Sequence, residues 1–219
     1  MKSKIVTPRT KLTLITNLER DSQEFNWIHE LRSNEQSSWW SLHGRAKTRQ
    51  DTEKVVDNFL PVAQVKGNEK TLRFAYLVHE LVDNAQELFI GLITLRTLSV
   101  EETQSLPREH HGNTASTLSL ELAYMFLPAS WGRGLATESV TAVLKTCAAA
   151  PASLWTPYQK VIVRAIVNDE NGPSQRVMEK CGMDEPEVLE FEGGRFFIAG
   201  KWRTKHRLCV YGKEMGGST

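Results

Sequence analysis

The sequence predicts an α/β fold. Three observations carry this expectation. Stretches of period-two apolar alternation recur through the first half of the chain. From residue 117 onward, strand patterns alternate with two helical ones. Glycine and proline punctuate the helices where turns must fall. Strands first, then strand-helix-strand-helix-strand, is a mixed α/β order.

The elements follow in chain order. Residues 11–16 (KLTLIT) alternate and read as a strand. Asp21 with Glu24 three residues later marks a helix start. Phe25, Ile28 and Leu31 form its apolar face, which Trp27 widens. A polar loop over 33–38 precedes the adjacent pair Trp39 and Trp40. Thr48 with Asp51 opens a second helix carrying Val55, Val56, Phe59 and Leu60, and Pro61 ends it. Residues 71–79 and 87–97 read as strands joined around Asp83 and Asn84. Residues 99–114 are polar and read as a surface loop. Residues 117–126 form a long strand. Leu118, Leu120, Leu122, Tyr124 and Phe126 share one side, and Ser119, Glu121, Ala123 and Met125 the other.

Residues 132–150 read as a helix with Val140, Val143, Leu144 and Cys147 as its buried stripe. Residues 160–167 (KVIVRAIV) are apolar enough for a strand covered on both faces. Residues 171–181 form a short helix, with Pro173 in the first turn and Gly182 just past the end. Residues 187–191 with 196–202, then 207–212, complete the strands. The expected organisation is one domain over 1–213 and a fraying tail over 214–219.

With 219 residues the chain can bury a large core without staples. The formal net charge is +1, and no long basic run marks a nucleic-acid partner. The first thirty residues lack the apolar core of a signal peptide, and no stretch matches a membrane span. A cytoplasmic protein is the expectation, with neither membrane nor nucleic acid as partner. The three cysteines, Cys147, Cys181 and Cys209, match no metal or redox spacing and read as reduced, packed thiols. His110 and His111 read as loop residues, and no metal is expected.

The chemistry concentrates in residues 121–138, ELAYMFLPASWGRGLATE. A strand ends at Phe126, a proline turn follows, and Gly132-Arg133-Gly134-Leu135-Ala136 opens a helix. Glycine lets backbone approach a ligand. The free N–H groups of a first helical turn favour an anion such as a pyrophosphate. Alone, this pattern also fits a purely steric turn. The P-loop lysine and the full dinucleotide fingerprint are both missing.

At these residues the chain resembles the GCN5-related N-acetyltransferases. Trp131-Gly132-Arg133-Gly134-Leu135-Ala136 matches that superfamily's Arg/Gln-x-x-Gly-x-Gly/Ala turn, with Trp131 in its first matched position. Ala136-Thr137-Glu138, and the strand Glu121-Leu122-Ala123-Tyr124, are similar to the RimJ/RimL-like branch. So is the segment from Asn171 through Ser174 to Glu179-Lys180-Cys181-Gly182-Met183. The resemblance covers roughly residues 72–212 well, and the first 70 only in pattern.

The resemblance implies a twisted, mainly antiparallel sheet of six or seven strands, splayed at the cofactor site, with about four helices. It implies acetyl-CoA as cosubstrate, lying between the strands that end at Phe126 and Val167. Backbone groups of Tyr124 and Phe126 would pair with the pantetheine and polarise the thioester carbonyl. The N–H groups of Arg133, Gly134, Leu135, Ala136 and Thr137 would hold the pyrophosphate. Asn171 and Ser174 would line the far side, although Asn171 also reads as a simple helix cap. Acetyl transfer needs a neutral amine, so a base must act. Glu121 is the candidate, and the alternative is a paired or solvated strand carboxylate. Many family members carry a proton-donating Tyr where this chain has Met178. Ser174 is the nearest hydroxyl that could replace it. Trp39 and Trp40, with Glu121, are candidates for the acceptor wall, or edge packing.

The expected function is transfer of acetyl from acetyl-CoA to a primary amine, on a protein N-terminus or a small molecule. A homodimer is allowed. A second reading is an acyl-CoA-binding or interaction protein of the same fold with catalysis weak or lost. A third, a nucleotide-binding α/β protein, lacks a phosphate lysine and ribose carboxylate at motif spacing.

Overall fold

A computed structural model describes residues 1–66, 69–82, 86–106 and 116–215. The α/β expectation holds, with a larger sheet. Nine strands form it: β1 (Lys4–Val6), β2 (Thr10–Leu14), β3 (Val62–Lys66), β4 (Glu69–Val82), β5 (Gln86–Thr97), β6 (Thr117–Phe126), β7 (Lys160–Asn168), β8 (Glu187–Ile198) and β9 (Lys201–Met215). Their order is β1-β2-β4-β5-β6-β7-β9-β8, with β3 paired to the start of β4. Every pairing is antiparallel except β6 with β7.

The two additional strands are short. Three residues of β1 give no period to read, and β3 follows Pro61 directly. The expected strand over 196–202 instead crosses a hairpin turn. Ala199 (φ 50°) and Gly200 (φ 72°) are both left-handed, which reverses the chain between β8 and β9. Strand β9 runs to Met215, which is buried, so the described chain is still in the sheet past the expected fraying point at Glu214.

Among the described residues there are six α-helices: α1 (Gln23–Ser33), α2 (Arg49–Glu53), α3 (Val100–Gln104), α4 (Leu135–Ala148), α5 (Ala152–Trp155) and α6 (Gly172–Lys180). Helix α1 is capped by Ser22, not Asp21, because Asp21 takes a left-handed φ of 71° and Ser22 accepts from the Phe25 N–H. Thr48 and Asp51 form the capping box of α2, which passes into a 3-10 turn at Val56–Phe59. The stretch expected as loop after Ser99 begins with α3, held by a Ser99–Glu102 capping box. His110 and His111 lie outside the described residues.

The two faces of the sheet bury different helices. Leu118, Leu120, Leu122 and Phe126 of β6 pack with Val140, Val143, Leu144 and Cys147 of α4 and with Met178 of α6. Each such side chain contributes roughly 1.5–3 kcal/mol by leaving water. The opposite face carries Leu77, Leu92 and Met125 against Ile28 and Leu31 of α1. Residues of opposite parity on β6 therefore belong to opposite layers, as the alternation requires. All three cysteines are buried as free thiols.

Candidate active site

The parallel β6–β7 ladder is short. Its register runs from Thr117–Lys160 to Glu121–Arg164 and stops there. Residues 122–126 of β6 and 165–168 of β7 then diverge, while β6 stays on β5 and β7 on β9. This parting is the opening expected between Phe126 and Val167.

The phase of the β5–β6 ladder decides what faces the opening. Leu127 N donates to Ile90 O at 2.8 Å, and Leu98 N to Ser119 O at 2.9 Å. Bonded and non-bonded pairs alternate in an antiparallel ladder. The odd residues of β6 thus bond β5, and Leu122, Tyr124 and Phe126 turn their backbone groups into the opening. The Phe126 carbonyl is already taken: Trp131 Nε1 donates to it at 2.9 Å and Ser37 Oγ at 3.1 Å. The N–H of Phe126 and both backbone groups of Tyr124 remain as the edge a pantetheine-like amide chain could pair with. Gly91 makes this edge possible. A Cβ there would stand 2.5 Å from Met125 O and 2.8 Å from the Phe126 ring.

The glycine turn lies at the end of β6. Gly132 (φ 71°) and Gly134 (φ 79°) are both left-handed. The helix therefore starts at Leu135 and not at Gly132. Gly134 is its N-cap and offers no side-chain acceptor. The first intrahelical bond is Glu138 N to Gly134 O, so the N–H groups of Leu135, Ala136 and Thr137 have no partner within the helix. These three donors, with the helix dipole behind them, suit a bound anion. The fit to a pyrophosphate rests on this chain's own backbone.

Arg133 is placed otherwise than its sequence position suggests. Its guanidinium makes a two-point pair with Glu80 of β4, so it contributes backbone and not free charge to the turn. The cation beside the turn is Arg9, whose Nη2 lies 3.5 Å from where a Gly134 Cβ would be. Arg9 Nη1 donates to Arg133 O at 2.9 Å, and its Nε to Glu138 at 2.7 Å. Glu138 also accepts from Thr7 Oγ1 and the Arg9 N–H. Burial alone would raise the Glu138 pKa, but Thr7 and Arg9 outweigh it and hold the carboxyl low. Glu138 is thus a structural carboxylate that ties residues 7–9 to the start of α4.

Glu121 occupies the last rung before the strands part, on the face opposite α4. Its Oε2 is 2.6 Å from Arg96 Nη2. Arg96 also grips Glu102 of α3 with two bonds, at 3.0 and 2.8 Å. Burial raises the Glu121 pKa, and Arg96 opposes the rise without cancelling it. A carboxylate poised this way can take a proton, and it is also a paired strand carboxylate; the geometry accommodates both readings.

Asn171 caps α6, its Oδ1 accepting from Ser174 N at 3.3 Å. Ser174 Oγ lies 2.8 Å from the Tyr124 hydroxyl, so β6 and α6 touch across the opening. Met178 is fully buried in the core on α6. Trp39 is 43% exposed, and Trp40 is half-buried. Ala199 N donates to Trp39 O at 3.0 Å, and the Trp39 ring lies against Gly200. The β8–β9 hairpin tip and the loop after α1 therefore meet, and Ser37 fastens that loop to the end of β6.

The structure brings together Tyr124 with Ser174, the glycine turn with Phe126, and Trp39 with the hairpin. Sequence reasoning missed Arg9, Ser37, Arg96 and the Trp131 indole as site residues. Arg9, Ser37 and Arg96 lie in no spaced motif with their partners, and the Trp131 indole lies in the motif but bonds a backbone carbonyl that no residue type marks. Gly91 did carry a signal, since a lone glycine inside a strand marks close backbone approach.

The family model described as an acetyltransferase (GNAT) domain matches residues 12–184. No curated protein matches the chain. Solved structures resemble it along most of their length. One is an acetyltransferase of the GNAT family from Bacillus anthracis, with 20% identity, TM-score 0.55, and coverage of 96% of this chain and 97% of that one. Another is the spermidine N-acetyltransferase from Vibrio cholerae in complex with CoA and spermine, at 20% identity and TM-score 0.57, covering 93% and 95%. A third, assigned as a ribosomal-protein-serine acetyltransferase from Vibrio cholerae, has 18% identity and TM-score 0.53, covering 96% of each chain.

Proposed function

Because the chain belongs to the GNAT acetyltransferase family, we propose that it transfers acetyl from acetyl-CoA to a primary amine, on a protein N-terminus or a small molecule. The observation that carries this reading is the parting of β6 and β7 beside a helix start whose first three N–H groups have no partner within the helix. Acetyl-CoA would supply an acetyl group activated as a thioester. Leu135, Ala136 and Thr137 would hold its pyrophosphate. The Phe126 N–H would donate to the thioester carbonyl, where negative charge develops. Glu121, on the far face of β6, would receive the proton that the acceptor ammonium must lose. Ser174 would donate a hydrogen bond to the departing sulfur. Asn171 would share its cap role with a contact to the cosubstrate.

The acceptor would approach from the face covered by α1, past Trp39 and the hairpin tip. Among the similar structures, one is named for spermidine and one for a ribosomal protein, so both acceptor classes belong in the test.

The experiment is thermal unfolding with acetyl-CoA, followed by thiol release with a panel of peptides and small amines. A ligand at 100 times its Kd adds about 2.7 kcal/mol. For a chain of this size that corresponds to a rise on the order of 5–10 °C. Stabilisation together with amine-dependent thiol release supports the proposal. Stabilisation with no turnover on any amine favours a binding protein instead, the reading suggested by the sealed Met178. No stabilisation at all removes the cosubstrate assignment.

A further inference from the structure

The Tyr124 hydroxyl reaches across the opening from β6 to α6. It stands 2.8 Å from Ser174 Oγ and 3.4 Å from Ser174 O. Tyr124 is part-buried, beside the core that holds Met178, and its ring meets Phe126 edge-on with centroids 5.9 Å apart. Its backbone groups face the same opening as its hydroxyl. Two adjacent hydroxyls share one hydrogen bond between them, which leaves one proton to point elsewhere.

Resting on the acetyl-CoA reading above, we propose that Tyr124 is a positioning residue that aims the Ser174 hydroxyl at the departing sulfur. A sulfur that leaves with its bonding electrons is an anion and accepts hydrogen bonds. Ser174 has a single proton, and turning it toward that anion leaves its lone pairs for Tyr124. Tyr124 then becomes the donor of the pair. Burial pushes its phenol up to about 12, so it keeps its proton at every working pH. Linked hydrogen bonds polarise one another, and the Ser174 proton becomes a better donor than it is alone.

The bookkeeping of the step is complete without proton transfer from either hydroxyl. The amine nitrogen forms a bond to the acetyl carbon, and the C–S bond breaks with its electron pair on sulfur. An acceptor ammonium gives up two protons, one before and one after the N–C bond forms, and each passes through Glu121 to solvent. The thiolate is held by the Ser174 O–H until solvent protonates it. Met178, which is fully buried, takes no part.

The test reads the thiol and not only the turnover. CoA is titrated bound to saturated protein, and its thiolate is followed by ultraviolet absorbance as pH rises. Ser174 and Tyr124 acting together stabilise the thiolate, so the bound thiol should titrate below that of free CoA titrated alongside it. Tyr124→Phe should raise that value by about one pH unit, tenfold in the acid constant, the scale of a hydrogen bond to a charged group. Ser174→Ala should raise it at least as much. The double variant should match Ser174→Ala alone, because Tyr124 acts only through Ser174. An unchanged thiol titration in Tyr124→Phe, or additive shifts in the double variant, overturns the inference while CoA still binds. Failure of the unsubstituted protein to bind CoA overturns the reading beneath it instead.

Discussion

At the scale of single residues, the site is built from side chains whose neighbours change their meaning. Glu121 is the clearest case. Burial raises its pKa above the ordinary carboxylate value, yet it faces Arg96 at 2.6 Å. As a base it works only when ionised, so turnover should rise with pH through its raised pKa. Glu121→Gln keeps the shape and removes the charge. Turnover should fall roughly 10²–10⁴-fold, and the acid limb of the pH profile should vanish. Turnover within threefold of the unsubstituted enzyme would make Glu121 a structural partner of Arg96. Met178 makes the opposite point. It stands where the resemblance implies a proton donor, but it is fully buried in the core. Met178→Tyr should therefore destabilise by about 1–3 kcal/mol through overpacking, measured by urea unfolding. It should not speed a Ser174→Ala enzyme, and faster single-turnover thiol release in the double variant would refute this.

At the scale of elements, the helix start of α4 is where the glycine motif and the proposed function meet. Two left-handed glycines delay the helix to Leu135, and an uncapped N-terminus leaves three donors aimed outward. Gly134→Glu places a side chain at φ 79° beside the cradle and adds a negative charge. Acetyl-CoA affinity should fall at least tenfold, about 1.4 kcal/mol, with the circular dichroism spectrum retained. Calorimetry showing unchanged affinity would remove the cradle assignment. Glu138, one turn into the helix, holds Arg9 against the same turn, so the N-terminal segment is part of the cradle's scaffold.

At the scale of the whole molecule, the opening exists because two ladders compete for β6 and β7. Both begin as neighbours, and after Glu121 and Arg164 each follows its antiparallel partner instead. Gly91 keeps β5 close to β6 on the side away from the opening. Gly91→Ala would press a methyl on Met125 O and the Phe126 ring. It should destabilise by about 1–3 kcal/mol and weaken acetyl-CoA binding together with it, because Phe126 is the packing partner and, in the proposed function, also the cosubstrate edge. Loss of stability with affinity intact would separate the two roles.

The sequence by itself determined the local features. The alternation of residues 117–126 assigned each side chain of β6 to its layer. The stripe of α4, the capping box of Thr48 and Asp51, the cap at Asn171 and the glycine turn all act over a few residues, within reach of local sterics and hydrogen bonding. Only the tertiary structure decided which distant groups meet. Arg9 reaches Glu138, Arg133 turns away to Glu80, Ser37 reaches Phe126, and Tyr124 reaches Ser174. Ala199 and Gly200 reverse the chain where apolar content alone reads as one continuous strand. These pairings depend on strand order, on ladder phase and on where the parallel ladder breaks, none of which a local window of residues contains. The glycine turn was legible because a few consecutive residues build it, whereas the partners of Glu121, Tyr124 and Phe126 were not, because separate elements supply them.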